Sequence, residues 1–394
     1  MTEKSPLSTD AGPSAPRTHA YSNPVGRPDS IVTGAPEHAL LRTGARPVSQ
    51  SARPRVVQRS GPSSYVVTLP FRWLKAEGIG EGDLVRWDLE EDGSLRLIPE
   101  GPQRTPRGGQ DFHFEEEHFR DPTYPCRIMT SAYVLGYDRV RVSDRQGFDP
   151  EVRALLEESI HDLPGFELTS VNPHEIVATS FLDPTAHPVK QVIARLGMAL
   201  DLLLAAVEAA LTRGSPDALD PVPRLVREIE RLNALSMRQL NLAAGNSSVA
   251  RALEVRRPSQ LLGNRVVVQL MRDVAEATVS IGAALARGPS MSSAARPVLE
   301  ELASRMSRCR DRLRQSTVAL QSESRSATLK ALSSGGNGLD DHLASTAHLR
   351  LPRATDSDWE QLAHCSWWIG IVARDTELIA DVAFTRSLDS LPPG

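Results

Sequence analysis

Lysine is nearly absent from this 394-residue chain. Lys4, Lys75, Lys190 and Lys330 are the only ones, so almost all of the 45 basic residues are arginine. Cysteine is equally scarce: Cys126, Cys309 and Cys365 lie far apart, and none falls in a C-x-x-C spacing. That excludes a disulfide framework and a cysteine-rich zinc finger, and makes a reducing cytoplasm the expected compartment. Long hydrophobic runs are missing too. The most apolar stretch, 196–211, carries Asp201 and Glu208, so no segment reads as membrane-spanning. The N-terminus has no apolar core of signal-peptide length. Signatures of catalysis are also lacking: there is no P-loop, no G-x-G-x-x-G, no G-x-S-x-G and no H-E-x-x-H, and the histidines are scattered. The chain is expected not to be an enzyme.

What is present is segregated. The net charge of −4 argues against a protein that coats nucleic acid or anionic membrane along its whole length. By position the charge reads differently. Between Glu37 and Glu77 there is no acidic residue, while Arg42, Arg46, Arg53, Arg55, Arg59, Arg72 and Lys75 all fall in that interval. Such a run is either a solvated face or a phosphate-neutralising one.

Residues 1–53 are rich in Pro, Ser, Gly and Thr without a hydrophobic period, and are expected to be disordered. Residues 54–100 have a β-β-helix-β-β order. Two β-branched runs flank Ser60-Gly-Pro-Ser-Ser, and a helical turn follows Pro70 and stops at Gly78. Two further strands then flank an Asp92-Gly93 turn. A module this short lacks a sufficient core and needs a partner chain. Residues 101–123 read as a polar linker, with His113-Phe-Glu-Glu-Glu-His118 as a solvated connector, and 124–186 as a small mixed α/β unit.

From residue 187 the apolar period becomes 3.6, with helices expected at 189–211, 223–243, 258–286, 296–321, 324–332 and 359–388. They suggest an antiparallel bundle of two three-helix repeats, 187–287 and 288–388. A loop is expected at 333–353, and Trp367 and Trp368 are expected to pack against the bundle.

The stretch Arg55-Val-Val-Gln-Arg-Ser-Gly-Pro-Ser-Ser-Tyr-Val-Val-Thr-Leu-Pro-Phe-Arg-Trp-Leu, followed by Gly78-Ile-Gly-Glu-Gly-Asp-Leu-Val and Asp92-Gly-Ser-Leu-Arg-Leu, resembles the SpoVT/AbrB family. The resemblance implies a swapped-hairpin module in which two chains interleave into one small β-barrel. It implies a homodimer that binds DNA, with Arg55, Arg59, Arg72 and Lys75 as the DNA-contacting residues.

The helical part resembles PhoU-like phosphate-uptake regulators. The stretches are Ala132-Tyr-Val-Leu-Gly-Tyr-Asp, Leu163-Pro-Gly-Phe-Glu, Arg227-Glu-Ile-Glu-Arg-Leu-Asn-Ala-Leu-Ser-Met-Arg-Gln-Leu, Arg265-Val-Val-Val-Gln-Leu-Met-Arg-Asp-Val-Ala-Glu-Ala and Val372-Ala-Arg-Asp-Thr-Glu-Leu-Ile-Ala-Asp-Val-Ala. This resemblance implies a divalent metal or iron cluster held by E/D-x-x-x-D pairs, for which Glu230, Glu276, Glu377 and Asp381 are the available acids. Arg272 and Arg374 stand where acids are expected. They are instead expected to pair with Glu276 and Glu377 as helix-surface ion pairs.

The whole is expected to be a multi-domain α+β protein, a cytoplasmic DNA-binding transcriptional regulator. By the PhoU resemblance it regulates phosphate uptake negatively, with a phosphate ABC transporter or a sensor histidine kinase as protein partner. The alternative is a dimeric adaptor without DNA binding that inhibits such a transporter or kinase by contact.

Overall fold

The structure, a computed structural model, describes residues 54–89, 93–100, 110–213, 216–287, 291–333 and 355–389. The proline-rich leader 1–53 and most of the loop expected at 333–353 lie outside these residues. The described chain is mostly helical.

Two small hairpins come first. Strands β1 (Gln58–Arg59) and β2 (Tyr65–Val66) pair antiparallel, as do β3 (Leu84–Leu89) and β4 (Leu95–Glu100), with helix α1 (Phe71–Glu77) between them. They are separate two-stranded sheets, so the described residues of one chain form no closed barrel. Strands this few cannot pair all their edges within one chain, and closure requires strands from elsewhere.

The mixed unit begins earlier than its sequence suggests. Asp111–Glu116, inside the stretch read as linker, is strand β5. It runs parallel to β6 (Arg139–Asp144), and the sheet continues through β8 (Glu175–Ser180) to β7 (Phe166–Asn172), both pairings antiparallel. Polar residues alternating with Phe112 and Phe114 disguise this edge strand as a connector. Helices α2 (Thr123–Leu135) and α3 (Pro150–His161) share a core with the sheet: Met129, Tyr133, Leu156 and Ile160 join Val140, Val142, Ile176 and Ala178 in one buried cluster.

The remaining helices are α4 (Val189–Arg213), α5 (Val222–Gly245), α6 (Ser247–Ala252), α7 (Pro258–Arg287), α8 (Arg296–Ser322), α9 (Arg325–Ser333) and α10 (Asp356–Asp389). Except for the short α6, each matches a stretch whose apolar residues repeat with helical period. Their buried side chains form one continuous cluster, because α8 packs on α4 and α10 on α7 across the two halves. Trp368 packs against this core. Trp367, expected beside it, is 67% exposed, since adjacent helical residues point about 100° apart.

Candidate nucleic-acid interface

The first hairpin is closed by Ser60, whose N–H donates to Ser64 O at 2.9 Å, and by Gly61 at φ 112°, a backbone conformation that side chains resist. Pro70 presets the start of α1. Gly78, at φ 66°, ends it, while the N–H of Ile79 donates back to Leu74 O at 2.9 Å.

Register divides the β3–β4 hairpin into two unlike faces. Val85 and the pairs Trp87–Leu97 and Leu89–Leu95 lie on one side, and Leu84, Arg86, Arg96 and Ile98 on the other. The first face is apolar throughout, yet Trp87 is 62% exposed and Leu89 70%. Among the described residues no side chain of 54–100 belongs to the buried hydrophobic core. An apolar face that leaves Trp87 and Leu89 exposed marks an interaction surface.

The four residues expected to meet DNA are all exposed. They come as two pairs. Arg55 precedes β1, which ends in Arg59, and Arg72 and Lys75 are three apart on α1, which places them on one helical face. Arg59 is used locally: its Nε donates to Gly61 O at 3.0 Å and its Nη2 to Pro62 O at 2.8 Å, so the guanidinium braces its own loop.

Residues 58–105 match the family model described as antidote-toxin recognition MazE, bacterial antitoxin. This segment is a MazE/AbrB-type module. Comparison with curated proteins returned no match, and neither did comparison with solved structures. The matched segment ends before the mixed unit, so the helical region lies outside it. A MazE-like module of the swapped-hairpin type fits a DNA-binding regulator.

The acidic positions of the helical region do not assemble a metal site. Arg272 Nε sits 3.0 Å from Glu276 Oε1, as expected from their spacing. Glu230, on α5, has its carboxyl pushed up by burial, with the nearby Arg272 opposing that shift and Glu276 adding to it. A guanidinium therefore stands among the carboxylates that a cation would need, and repels it. Glu377 is half-buried and Asp381 exposed. Among the described residues no group of three or more His, Cys, Asp or Glu could hold a metal ion. The residues do not fit a metal cluster.

Arg374 corrects the expected pairing. Its Nε donates to Asp375 Oδ1 at 2.7 Å, so Glu377 is not its partner. Asp375 is fully buried, and its Oδ2 finds no hydrogen-bond donor among the described residues. Helical phase carried the signal: Asp375 lies three or four positions from Val372 and Ile379, both core residues, which puts it on the inward face.

Three α5 side chains that sequence reasoning left without a role join the mixed unit to the helices. Arg238 donates through Nη1 to Tyr133 O and Tyr137 O at 2.7 and 2.8 Å, and through Nη2 to Asp138 Oδ1 at 2.8 Å. Asn241 donates to Val134 O at 2.8 Å, and Gln239 to Pro184 O and His187 O at 2.8 and 2.9 Å. Asn241 thereby pairs the Val134 carbonyl in the last turn of α2, where helix geometry leaves carbonyls without an intrahelical donor, while Tyr133 O accepts from both Arg238 and the Gly136 N–H.

Proposed function

We propose that the chain is a dimeric DNA-binding regulator of transcription. The apolar, open face of the MazE-like β3–β4 hairpin carries this reading. Covering it with the same hairpin from a second chain doubles Arg55, Arg72 and Lys75 on one assembly, and Arg59 with them, in an interval free of acids. Repeated cations of this kind neutralise backbone phosphates, and arginine can also read guanine edges bidentately. The helical region, lacking recognisable catalytic machinery, serves as the receiver: docking of a signal or partner there shifts how the two modules present themselves to DNA.

The finer reading follows the PhoU-like resemblance. In it the barrel is completed by two chains, the helices form a PhoU-like bundle, and the regulated process is phosphate uptake in the cytoplasm, with a phosphate ABC transporter or sensor kinase as partner. The order of modules and the long helices sharing one core support it. Phosphate uptake measured with and without the gene tests it separately, because unchanged uptake removes the phosphate assignment and leaves DNA binding untouched.

DNA binding is tested by titrating full-length protein into labelled duplex over a salt series. The expected result is affinity that falls steeply with salt. Replacing both Arg55 and Arg59 by Ala removes four charges per dimer and flattens the log–log slope by about 3 to 4. Absence of binding at low salt, or an unchanged slope in the double variant, defeats the reading.

A second reading rests on the bracing of Arg59 by Gly61 and Pro62. If that guanidinium is structural, the module only dimerises, and the chain acts as an adaptor on a transporter or kinase. It predicts a dimer with no salt-dependent affinity for DNA.

A further inference from the structure

The segment joining α6 to α7 reads Arg256-Arg257-Pro258-Ser259. Ser259 is exposed in the first turn of α7, and its Oγ donates to Asp389 Oδ2 at 2.6 Å, across 130 positions of sequence, at the end of α10. Arg257 Nη1 donates to Asp389 Oδ1 at 3.2 Å and also to the Asp389 backbone oxygen. Arg386, one turn back on α10, acts electrostatically on the same carboxylate. A carboxylate from a remote helix is thus held by the Arg257 guanidinium and the Ser259 hydroxyl, while Arg386 donates to Leu320 O and Asn264 Oδ1 nearby.

That carboxylate is poorly placed on its own helix. Asp389 stands at the C-terminal end of α10, where the helix dipole disfavours negative charge, while the start of the 30-residue α7 favours it. A stronger anion attached to α7 itself would take over the same cations.

We propose that Ser259 is a phosphorylation site, modified by an arginine-directed serine kinase using ATP, and that its phosphoryl group displaces the Asp389 carboxylate. Ser259 Oγ attacks the γ-phosphorus of ATP, the bond to the β,γ-bridging oxygen breaks, and ADP leaves. The hydroxyl proton passes to the kinase's base. Arg257 and Arg256, two and three positions before the serine, supply the charge pattern by which such a kinase selects its substrate. The product carries close to two negative charges and forms charge-assisted hydrogen bonds with the Arg257 guanidinium that holds Asp389, in the field of Arg386. The end of α10 is then released from the start of α7. This inference is independent of the DNA-binding reading.

Full-length protein is incubated with ATP and a purified serine kinase that selects arginine two and three positions before its target. Fragment mass spectrometry then locates the phosphate, and hydrogen exchange follows the last turn of α10. The expected result is one phosphoryl group on Ser259, none there in Ser259→Ala, and incorporation about tenfold slower when Arg256 and Arg257 are both changed to Ala, the loss of one charge-assisted contact. Exchange in the last turn of α10 rises on phosphorylation. A site elsewhere with Ser259 untouched, or incorporation indifferent to the two arginines, overturns the assignment. Unchanged exchange in α10 after stoichiometric modification overturns the displacement.

Discussion

The Arg238 guanidinium lies 4.9 Å from the centre of the Tyr133 ring while donating to the same residue's carbonyl oxygen at 2.7 Å. One side chain on α5 therefore contacts both the face of an aromatic ring and the backbone of α2. Arg238 is 1% exposed, and burial pulls its affinity for a proton down from the ordinary arginine range, with Tyr133 and Asp138 opposing. Such a charge persists only because its donors are satisfied. Arg238→Ala is expected to cost about 3 kcal/mol, since it removes three hydrogen bonds made by a buried guanidinium and opens a void. Arg238→Lys keeps the charge but cannot reproduce a fork directed at three acceptors, and should still cost about 1–2 kcal/mol. Urea unfolding measures both; a lysine variant as stable as wild type would show that charge alone suffices.

Trp87 tests the dimer. Its ring belongs to the apolar β3–β4 face, which a single chain leaves uncovered. Trp87→Glu should leave the helical signal in circular dichroism unchanged and lower the mass measured by light scattering to that of one chain, with dimer affinity weakened by about 3 kcal/mol or more. A variant that remains dimeric would place the interface elsewhere.

Two aspartates on α10 respond oppositely to pH. Asp358 accepts from Ser292 N and Thr355 N at 3.0 and 2.9 Å, and from both hydroxyls; these bonds hold its carboxyl well below the usual range. Its stabilising contribution is complete above the ordinary aspartate range and disappears as pH falls. Asp375 is pushed upward by burial, with Arg374 opposing and Asp273 adding to it. Its contribution is complete below the ordinary range and is lost as pH rises through the folded-state value. Accordingly, Asp358→Asn should destabilise at neutral pH and flatten the acid limb of the stability curve. Asp375→Asn should stabilise at neutral pH by about 1 kcal/mol, by removing a buried charge with one unpaired oxygen. Urea midpoints over a pH series decide, and a destabilised Asp375→Asn variant would contradict the account.

Gly165 occupies a position closed to side chains. It has φ 75°, and a Cβ there would come within 2.2 Å of Leu182 Cβ and 3.1 Å of Leu182 N. Gly165→Ala should destabilise by about 2–3 kcal/mol, read as a lowered thermal midpoint, because backbone as well as side chain must move. A neutral outcome would mean that the turn before β7 is softer than its packing indicates.

How much of this was legible beforehand depended on whether the signal was local. Helices α4, α5, α7, α8 and α10 follow from apolar residues recurring at helical period, and begin and end within three residues of the stretches that carry the pattern. The MazE-like module was visible through its turn residues, Gly61, Gly78 and Gly93, each of which adopts positive φ. Strand β5 was hidden, because an edge strand beside a parallel neighbour has no turn to announce it, and its alternation is polar on one face. Arg272 and Arg374 were already visible in the sequence where acids were expected, and among the described residues no group of three or more His, Cys, Asp or Glu assembles.

By itself, then, the sequence determined the periodic elements, the acid-free basic front and the turns of the MazE-like module, since backbone geometry and charge density are properties of consecutive residues. Partnership was decided only in three dimensions. Arg374 chose Asp375 over Glu377, Arg59 turned to its own loop, and Arg238 reached carbonyls about a hundred positions away. A long guanidinium has several acceptors within reach of its stem, and only the packing of the surrounding helices and strands decides which of them it is desolvated with.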